Sequence, residues 1–255
     1  MKTKWLIGFL LMMLTVLSGC NILTVEETET IQLEASGLET FFIQHDEGDV
    51  TITGVEGLDQ IEVEATLSVM SEEEEQARTF LEEHLSMSLT EVDEGALLTT
   101  AVTRGAEIEQ GNIHLEIKVP NDLKIDYKQN EGQLKVNSMA SDLVIEHGSD
   151  HLFLDQINGT VKITDGAGKV MLTNVSGDTT INNASGETSV TKSSGNLFST
   201  NGSGALTIED YQGEVTVRNG YGNIKITGVN GNVTVVESQQ GSVTIEDVSG
   251  QITQP

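Results

Sequence analysis

The feature that most constrains this chain is a glycine every nine residues. Gly159, Gly168, Gly177, Gly186, Gly195, Gly204, Gly213, Gly222 and Gly231 stand one unit apart, and after one extra residue the series resumes at Gly241 and Gly250. Gly132, Ser141 and Asp150 extend the register backwards. A fixed short period means that one small structural unit is stacked on copies of itself, each burying the next.

With the glycine as position one, positions three and five are apolar: Leu152 and Leu154, Val161 and Ile163, Val170 and Leu172, Leu206 and Ile208, Val215 and Val217, Ile224 and Ile226. Position four between them is usually Thr, Lys or Ser. This is the alternation of a short strand and does not suit a helix, whose apolar positions recur every three or four residues. Position seven is often Asn or Asp (Asp165, Asn174, Asn183, Asn201, Asp210, Asn219, Asp247), residues that tolerate the left-handed backbone of a sharp turn. Each unit therefore reads as strand then turn.

Position eight doubles the period. From Met139 to Val248 it runs Met, Gly, Ile, Gly, Val, Ala, Ser, Gly, Tyr, Gly, Val, Ser, Val, large alternating with small and broken only at Ser193. Two units then make one coil of 18 residues, and the expected fold is all-β: a two-faced parallel β-solenoid in which each strand pairs with its equivalent one coil away. At roughly 4.8 Å per strand the seven or so coils from Gly132 onward would span about 30 Å.

Ahead of this lies a less regular β region, 31–120. Gly48–Gly57 is one unit in the same frame, with Val50, Ile52 and Val55 at positions three, five and eight, and longer strands are expected at 60–69, 96–103 and 112–119. Between the first two, residues 71–85 (SEEEEQARTFLEEHL) predict a helix capped by Ser71, with acids in its first turn and Ala77, Leu81 and Leu85 as an apolar stripe. Its expected role is to cover an open edge of the sheet. The regular solenoid is placed at 121–255.

The first twenty residues, MKTKWLIGFLLMMLTVLSGC, pair two lysines with an apolar run too short to span a bilayer comfortably. They read as an export signal over residues 1–19. Leu17-Ser18-Gly19-Cys20 resembles the lipobox of bacterial lipoproteins, which implies that Cys20 carries a diacylglycerol and begins the mature chain, fixed to the lipid bilayer by two acyl chains where one would be marginal. Residues 20–30 are expected to be an acidic tether, and the protein to lie outside the cytoplasmic membrane, anchored by lipid.

Charge and cysteine content bound the partners. The chain carries 40 acids against 13 bases, a formal net charge of −27, and losing the signal removes Lys2 and Lys4 and no acid. With only Arg78, Arg104 and Arg218 as arginines, nucleic acid is excluded as a partner, because phosphate neutralisation needs clustered cations. One cysteine allows no intramolecular disulfide and no Cys-type zinc site.

The early unit GDVTITGVEG followed by Ile61-Glu-Val-Glu-Ala65, the Glu-rich helix, the Ile117-Lys-Val-Pro120 step and the terminal run of G-x-V-x-V units resemble the DUF4097 family of bacterial extracytoplasmic proteins, β-strand-repeat candidate adhesins. The resemblance spans nearly all of residues 30–255. It implies the solenoid and an envelope location, and it carries no established activity with it.

No constellation points to catalysis, a metal or a cofactor. Calcium-binding β-rolls need Gly-Gly-x-Gly-x-Asp turns, and this chain has single glycines with a mixed position seven. Of the five histidines only His147 and His151 are close in sequence, around Asp150, and they read as surface residues. Carboxylates are abundant but unfocused, no serine has a plausible histidine partner, and neither outward face is a regular Thr-x-Thr array of the ice-binding kind. Between Thr179 and Ser199 the inward positions turn polar (Thr179, Thr188, Ser199) and Phe198 falls outward unless the strand slips by one residue. Phe153 and Met171 are the other outward apolar residues, on the opposite face, and together with Phe198 they are the candidate recognition patch.

The sequence thus predicts a non-enzymatic, lipid-anchored envelope protein acting as an adhesion or scaffolding surface toward an extracellular or envelope protein or glycan. The alternatives are a regulatory or sensory module that binds a membrane protein, and a filament that assembles through the solenoid end, where an open strand edge is exposed.

Overall fold

Each nine-residue unit contributes one strand, and successive units alternate between two sheets. A computed structural model describes residues 22–103 and 110–255. Its first strands are β1 (Leu23–Glu34), β2 (Thr40–Glu47), β3 (Val50–Val55) and β4 (Gln60–Ser71), followed by helix α1 (Glu74–His84), β5 (Leu85–Val92), β6 (Gly95–Val102) and β7 (Gln110–Pro120). The regular part continues with β8 (Lys124–Glu131), β9 (Leu134–Met139), β10 (Leu143–Ser149), β11 (Leu152–Asn158), β12 (Val161–Ala167), β13 (Val170–Ser176), β14 (Thr179–Ser185) and β15 (Thr188–Thr191). It ends with β16 (Leu197–Ser203), β17 (Leu206–Gln212), β18 (Val215–Tyr221), β19 (Ile224–Asn230), β20 (Val233–Gln240), β21 (Val243–Val248) and β22 (Ile252–Thr253).

Odd-numbered strands from β9 onward form one face, sheet A, and even-numbered strands from β8 onward the other, sheet B; each sheet holds 11 strands. Leu152 pairs with Val170 and Leu143 with Val161, in parallel and one coil apart, and this register repeats along the stack. Eleven strands at about 4.8 Å give a rod roughly 50 Å long. The extra residue before Gly241 is a bulge in β20 that shifts the register after Val217 and leaves Val236 exposed.

The chain does not enter this stack in order. β2 lies between β6 and β8, and β3 between β7 and β9. The first coil in sequence is therefore an inner layer, and the chain leaves it to build the end of the rod before returning at β8. At that end pairing turns antiparallel: β4 lies against β7, β1 against β4, and β5 against β6. The expected acidic tether of residues 20–30 is corrected here, since β1 begins at Leu23 and Val25 is buried against the core. Its alternation is hidden because Glu27 and Glu29 stand at the same parity as the inward Leu23, Val25, Ile31 and Leu33.

Helix α1 packs on β1, β4 and β5 and buries Ala77, Phe80 and Leu81, covering the end of the sheets as the sequence predicts. Gly111 makes room for it, because a Cβ there would lie 2.7 Å from Leu85 and 3.1 Å from Phe80. Ser71 is not the cap: the N-cap is Glu73, and Ser71 ends β4 with its hydroxyl accepting the Glu73 N–H at 3.3 Å. One continuous apolar cluster runs from Val25 to Val235, so the irregular 31–120 segment and the solenoid share a single core.

Glycine at position one is a steric requirement of the stack. A Cβ on Gly168 would lie 1.6 Å from the carbonyl oxygen of Asp150 one coil below, and its φ of +141° is closed to most side chains.

Candidate functional site

The two sheets use position seven in opposite ways. Strict alternation would turn positions three, five and seven all inward. In sheet A, Ser138, Gln156, Asn174, Lys192, Asp210 and Asp247 adopt positive φ between 51° and 60°, which interrupts the alternation and points position eight inward instead. One corner of the rod is thus a column of buried Met139, Ile157, Val175, Ser193, Tyr211 and Val229. Ser193, the exception in the large series, replaces bulk with hydrogen bonds: its hydroxyl donates to Thr191 O at 2.8 Å and accepts the Val175 N–H at 3.0 Å.

In sheet B the alternation continues, so position seven is buried and the small position eight lies against the coil below. His45, Gln129, His147, Asp165, Asn183, Asn201 and Asn219 are register partners one after another. All are buried. The result is a polar ladder inside the second corner for most of the length of the rod.

Its rungs bond to one another and to the glycine carbonyls of the turns. Gln129 donates to Gly48 O at 2.6 Å and accepts from the Tyr127 hydroxyl at 2.7 Å. Asn201 donates to Gly204 O and Asn219 to Gly222 O, at 3.2 and 2.9 Å. The polar interior at Thr188 belongs to the same network: its hydroxyl accepts from Asn183 at 3.1 Å and donates to Asn201 at 3.0 Å. A buried hydroxyl with both roles filled costs far less than an unpaired one.

Of the two histidines expected at the surface, His151 is exposed, and His147 is corrected by this ladder. His147 is buried because regular alternation carries it inward; Nδ1 lies 2.6 Å from Asp165 Oδ1 and Nε2 lies 2.8 Å from Gly132 O. The carbonyl can only accept, so Nε2 carries a proton, and the second proton is held between Nδ1 and the carboxylate. Both side chains have no solvent exposure, so no substrate reaches them. His45 lies on another rung, with Nε2 donating to Gly48 O at 3.1 Å and Nδ1 accepting from the Thr100 hydroxyl at 2.7 Å. Burial pushes its pKa down to about 4, only partly offset by the Gly48 carbonyl and Asp46. The sequence signal for the ladder was present: a glycine or alanine at position eight marks a unit whose position seven turns in.

The three surface residues do not form one patch. Phe153 and Met171 are cross-strand neighbours on the outer face of sheet A, both half-buried. The His151 ring meets Phe153 edge-on at 6.0 Å, a member that the sequence pattern did not indicate. Phe198 lies on sheet B, flanked by Thr180 and Thr216, with 42% of its surface exposed. The strand has not slipped, because Leu197 and Ser199 keep the inward positions. Cys20 lies outside the described residues.

Lys128, Lys169, Arg218 and Lys225 are each matched to an acid one coil away. Arg218 pairs with Glu237 at 3.5 Å on sheet B and Lys225 with Glu209 at 2.5 Å on sheet A, so the two face opposite ways. The hydrogen bond to Glu209 raises the Lys225 pKa. Among the described residues, two concavities open to solvent measure about 400 Å³ beside Glu75, Phe80 and His84 on α1, and about 270 Å³ beside Lys192, Ser194 and Asp210. Among the described residues no group of three or more His, Cys, Asp or Glu is placed to hold a metal ion, and no helix is long and apolar enough to cross a membrane.

No family model matches the chain, and no curated protein matches it. Solved structures do align along most of it. A candidate cell adhesion protein from Clostridium sporogenes is 11% identical over 90% of this chain and 100% of its own, with a TM-score of 0.31. A candidate adhesin from Parabacteroides distasonis is 11% identical over 89% and 97%, with a TM-score of 0.34, and a candidate lipid binding protein from the same organism is 11% identical over 88% and 96%, with a TM-score of 0.29. Likenesses at these TM-scores assign nothing to the present chain.

Proposed function

We propose that this chain is a lipid-anchored module of the bacterial envelope, of the DUF4097 kind, whose solenoid acts without catalysis as an adhesion or scaffolding surface. The observation that carries the reading is the division between interior and exterior. The polar groups held in fixed geometry are sealed inside the rod as a ladder, while the described exterior presents two broad sheet faces with concavities open to solvent. Such faces suit contact over an area more than the enclosure of a small substrate. The Cys20 lipobox supports attachment, and with β1 starting at Leu23 the folded body would sit within about 10 Å of the lipidated residue.

Phe153, Met171 and His151 on sheet A are the contact spot in this reading, with Phe198 a separate one on sheet B. Crosslinking on intact cells, followed by recovery of the protein, tests it against the regulatory alternative. An adhesion or scaffolding surface yields an extracellular or envelope protein or glycan, in amounts that fall severalfold with Phe153→Ala and Met171→Ala together. Recovery of one membrane protein in fixed proportion, unaffected by that pair, supports the regulatory reading instead.

A further inference from the structure

Sheet B carries a stretch of outer face unlike the rest of the molecule. On β12, β14, β16 and β18 one outward row along the rod reads Lys162, Thr180, Phe198 and Thr216. The row beside it reads Thr164, Asn182, Thr200 and Arg218. None of these is an acid, and the one acid in the four strands, Asp165, is buried. In a chain with 40 acids this is the exception: sheet A turns Asp155, Glu209 and Glu246 outward, and sheet B itself has Glu146 on β10 and Glu237 on β20 to either side. The hydrogen-bonding groups are also uncommitted. On sheet A, Thr173 bonds to Thr191 and Asn174 to Asp155, whereas among the described residues the side chains of Thr164, Thr180, Asn182, Thr200 and Thr216 bond to no other protein group.

We infer that this face binds an uncharged, extended β-linked glycan that lies along the rod axis. Charge narrows the choice of partner first. A polyanion needs clustered cations, and here Lys162 and Arg218 stand three strands apart, with Arg218 held by Glu237, on a body of net charge −27. A cationic partner is drawn to the acids, which lie elsewhere. An uncharged partner is what a face without acids complements. A protein partner fits the composition poorly, because interface centres gather aromatic and methionine side chains, and threonine is under-represented among the residues that carry protein–protein binding. Phe198, 42% exposed, is the single apolar residue in the two rows.

The same residues offer what a sugar uses. A threonine hydroxyl both donates and accepts, as a sugar hydroxyl does, and the Asn182 carboxamide offers the two roles on separate atoms. Phe198 stands between Thr180 and Thr216 in its row. Its ring takes the C–H face of one sugar, whose hydrogens meet the negative face of the ring, while hydroxyls on the strands before and after take the neighbouring sugars. The strands repeat at about 4.8 Å, close to the advance per residue of an extended β-linked chain, so successive sugars meet the same row position on successive coils. Contact from one side only makes the binding weak. The inference deepens the reading of Phe198 as a contact spot and rests on it; Phe153 and Met171, on the other sheet, take no part.

Calorimetric titration of the full chain, held in a zwitterionic detergent, with the hexamers of β-1,4-linked glucose and of β-1,4-linked N-acetylglucosamine tests this. At least one hexamer is expected to bind with a Kd of about 1 mM or tighter. Phe198 is exposed, so its substitution leaves the fold intact, which circular dichroism verifies. Phe198→Ala weakens the affinity about tenfold, Phe198→Tyr keeps it within about twofold, and Thr180→Val with Thr200→Val weakens it severalfold. Phe153→Ala with Met171→Ala leaves it unchanged. No binding of either hexamer at about 5 mM, binding indifferent to Phe198→Ala, or tighter binding of the polyanion polygalacturonate would each overturn the inference. The contact-surface reading is tested separately, by capture from intact cells: a partner recovered there while both hexamers fail leaves that reading standing and overturns the glycan.

Discussion

A buried polar side chain is tolerated when its partners are fixed, and the ladder of sheet B shows how a repeat supplies them. Most rungs find a glycine carbonyl or the rung beside it, and Asn183 finds the Thr188 hydroxyl, because successive coils are in register. The His147–Asp165 pair is the most demanding case. Removing one member leaves the other unpaired in the core, so Asp165→Ala should cost about 3 kcal/mol or more in urea unfolding, whereas His147→Leu with Asp165→Val should cost much less. If the single change were as mild as the double, the pair would not matter to the fold. His45 adds a pH dependence. Its pKa is lowered from 6.5 to about 4 on folding, so as pH falls the unfolded chain takes the proton first. Its contribution to stability is complete above 6.5 and is lost progressively between 6.5 and about 4. His45→Gln should flatten that part of the stability profile, and an unchanged slope would locate the titration elsewhere.

At the scale of elements, the end cap turns a stack of strands into a closed end. Phe80→Ala removes the largest apolar side chain that α1 inserts, at an expected cost of about 3 kcal/mol. Calorimetry should show the lower melting temperature, and proteolysis should cut first around α1 if the cap loosens before the rest. The helix was legible from its stripe, but its start was not, because Ser71 at the end of β4 offers the same hydroxyl that a cap would. Strands β9 to β22 could be read from the nine-residue spacing, since the backbone contact at Gly168 tolerates nothing larger. β1 and β2 could not. Glu27 and Glu29 interrupt the inward series of β1, and β2 lacks the glycine marker at its own position one. The inserted position of β2 and β3 was also hidden, because spacing along the chain reports a unit's shape and not its place in the stack. The ladder was half legible: Asn and Asp at position seven suggested turns throughout, which is correct for sheet A alone.

The described residues form a rod whose β1 and β5 end is covered by α1, and the proposed anchor lies at that end. The chain's formal charge of −27 is spread along both faces, with Lys128, Lys169, Arg218 and Lys225 paired to acids one coil away, which favours solubility over side-by-side aggregation. The account depends most on the anchor, since that decides which end faces outward. Cells producing the wild-type chain or Cys20→Ser, grown with labelled palmitate and then fractionated, measure this directly. A lipid anchor at Cys20 gives a labelled wild-type protein in the washed membranes and an unlabelled Cys20→Ser protein released to the medium. A Cys20→Ser protein that stays with the washed membranes would contradict it.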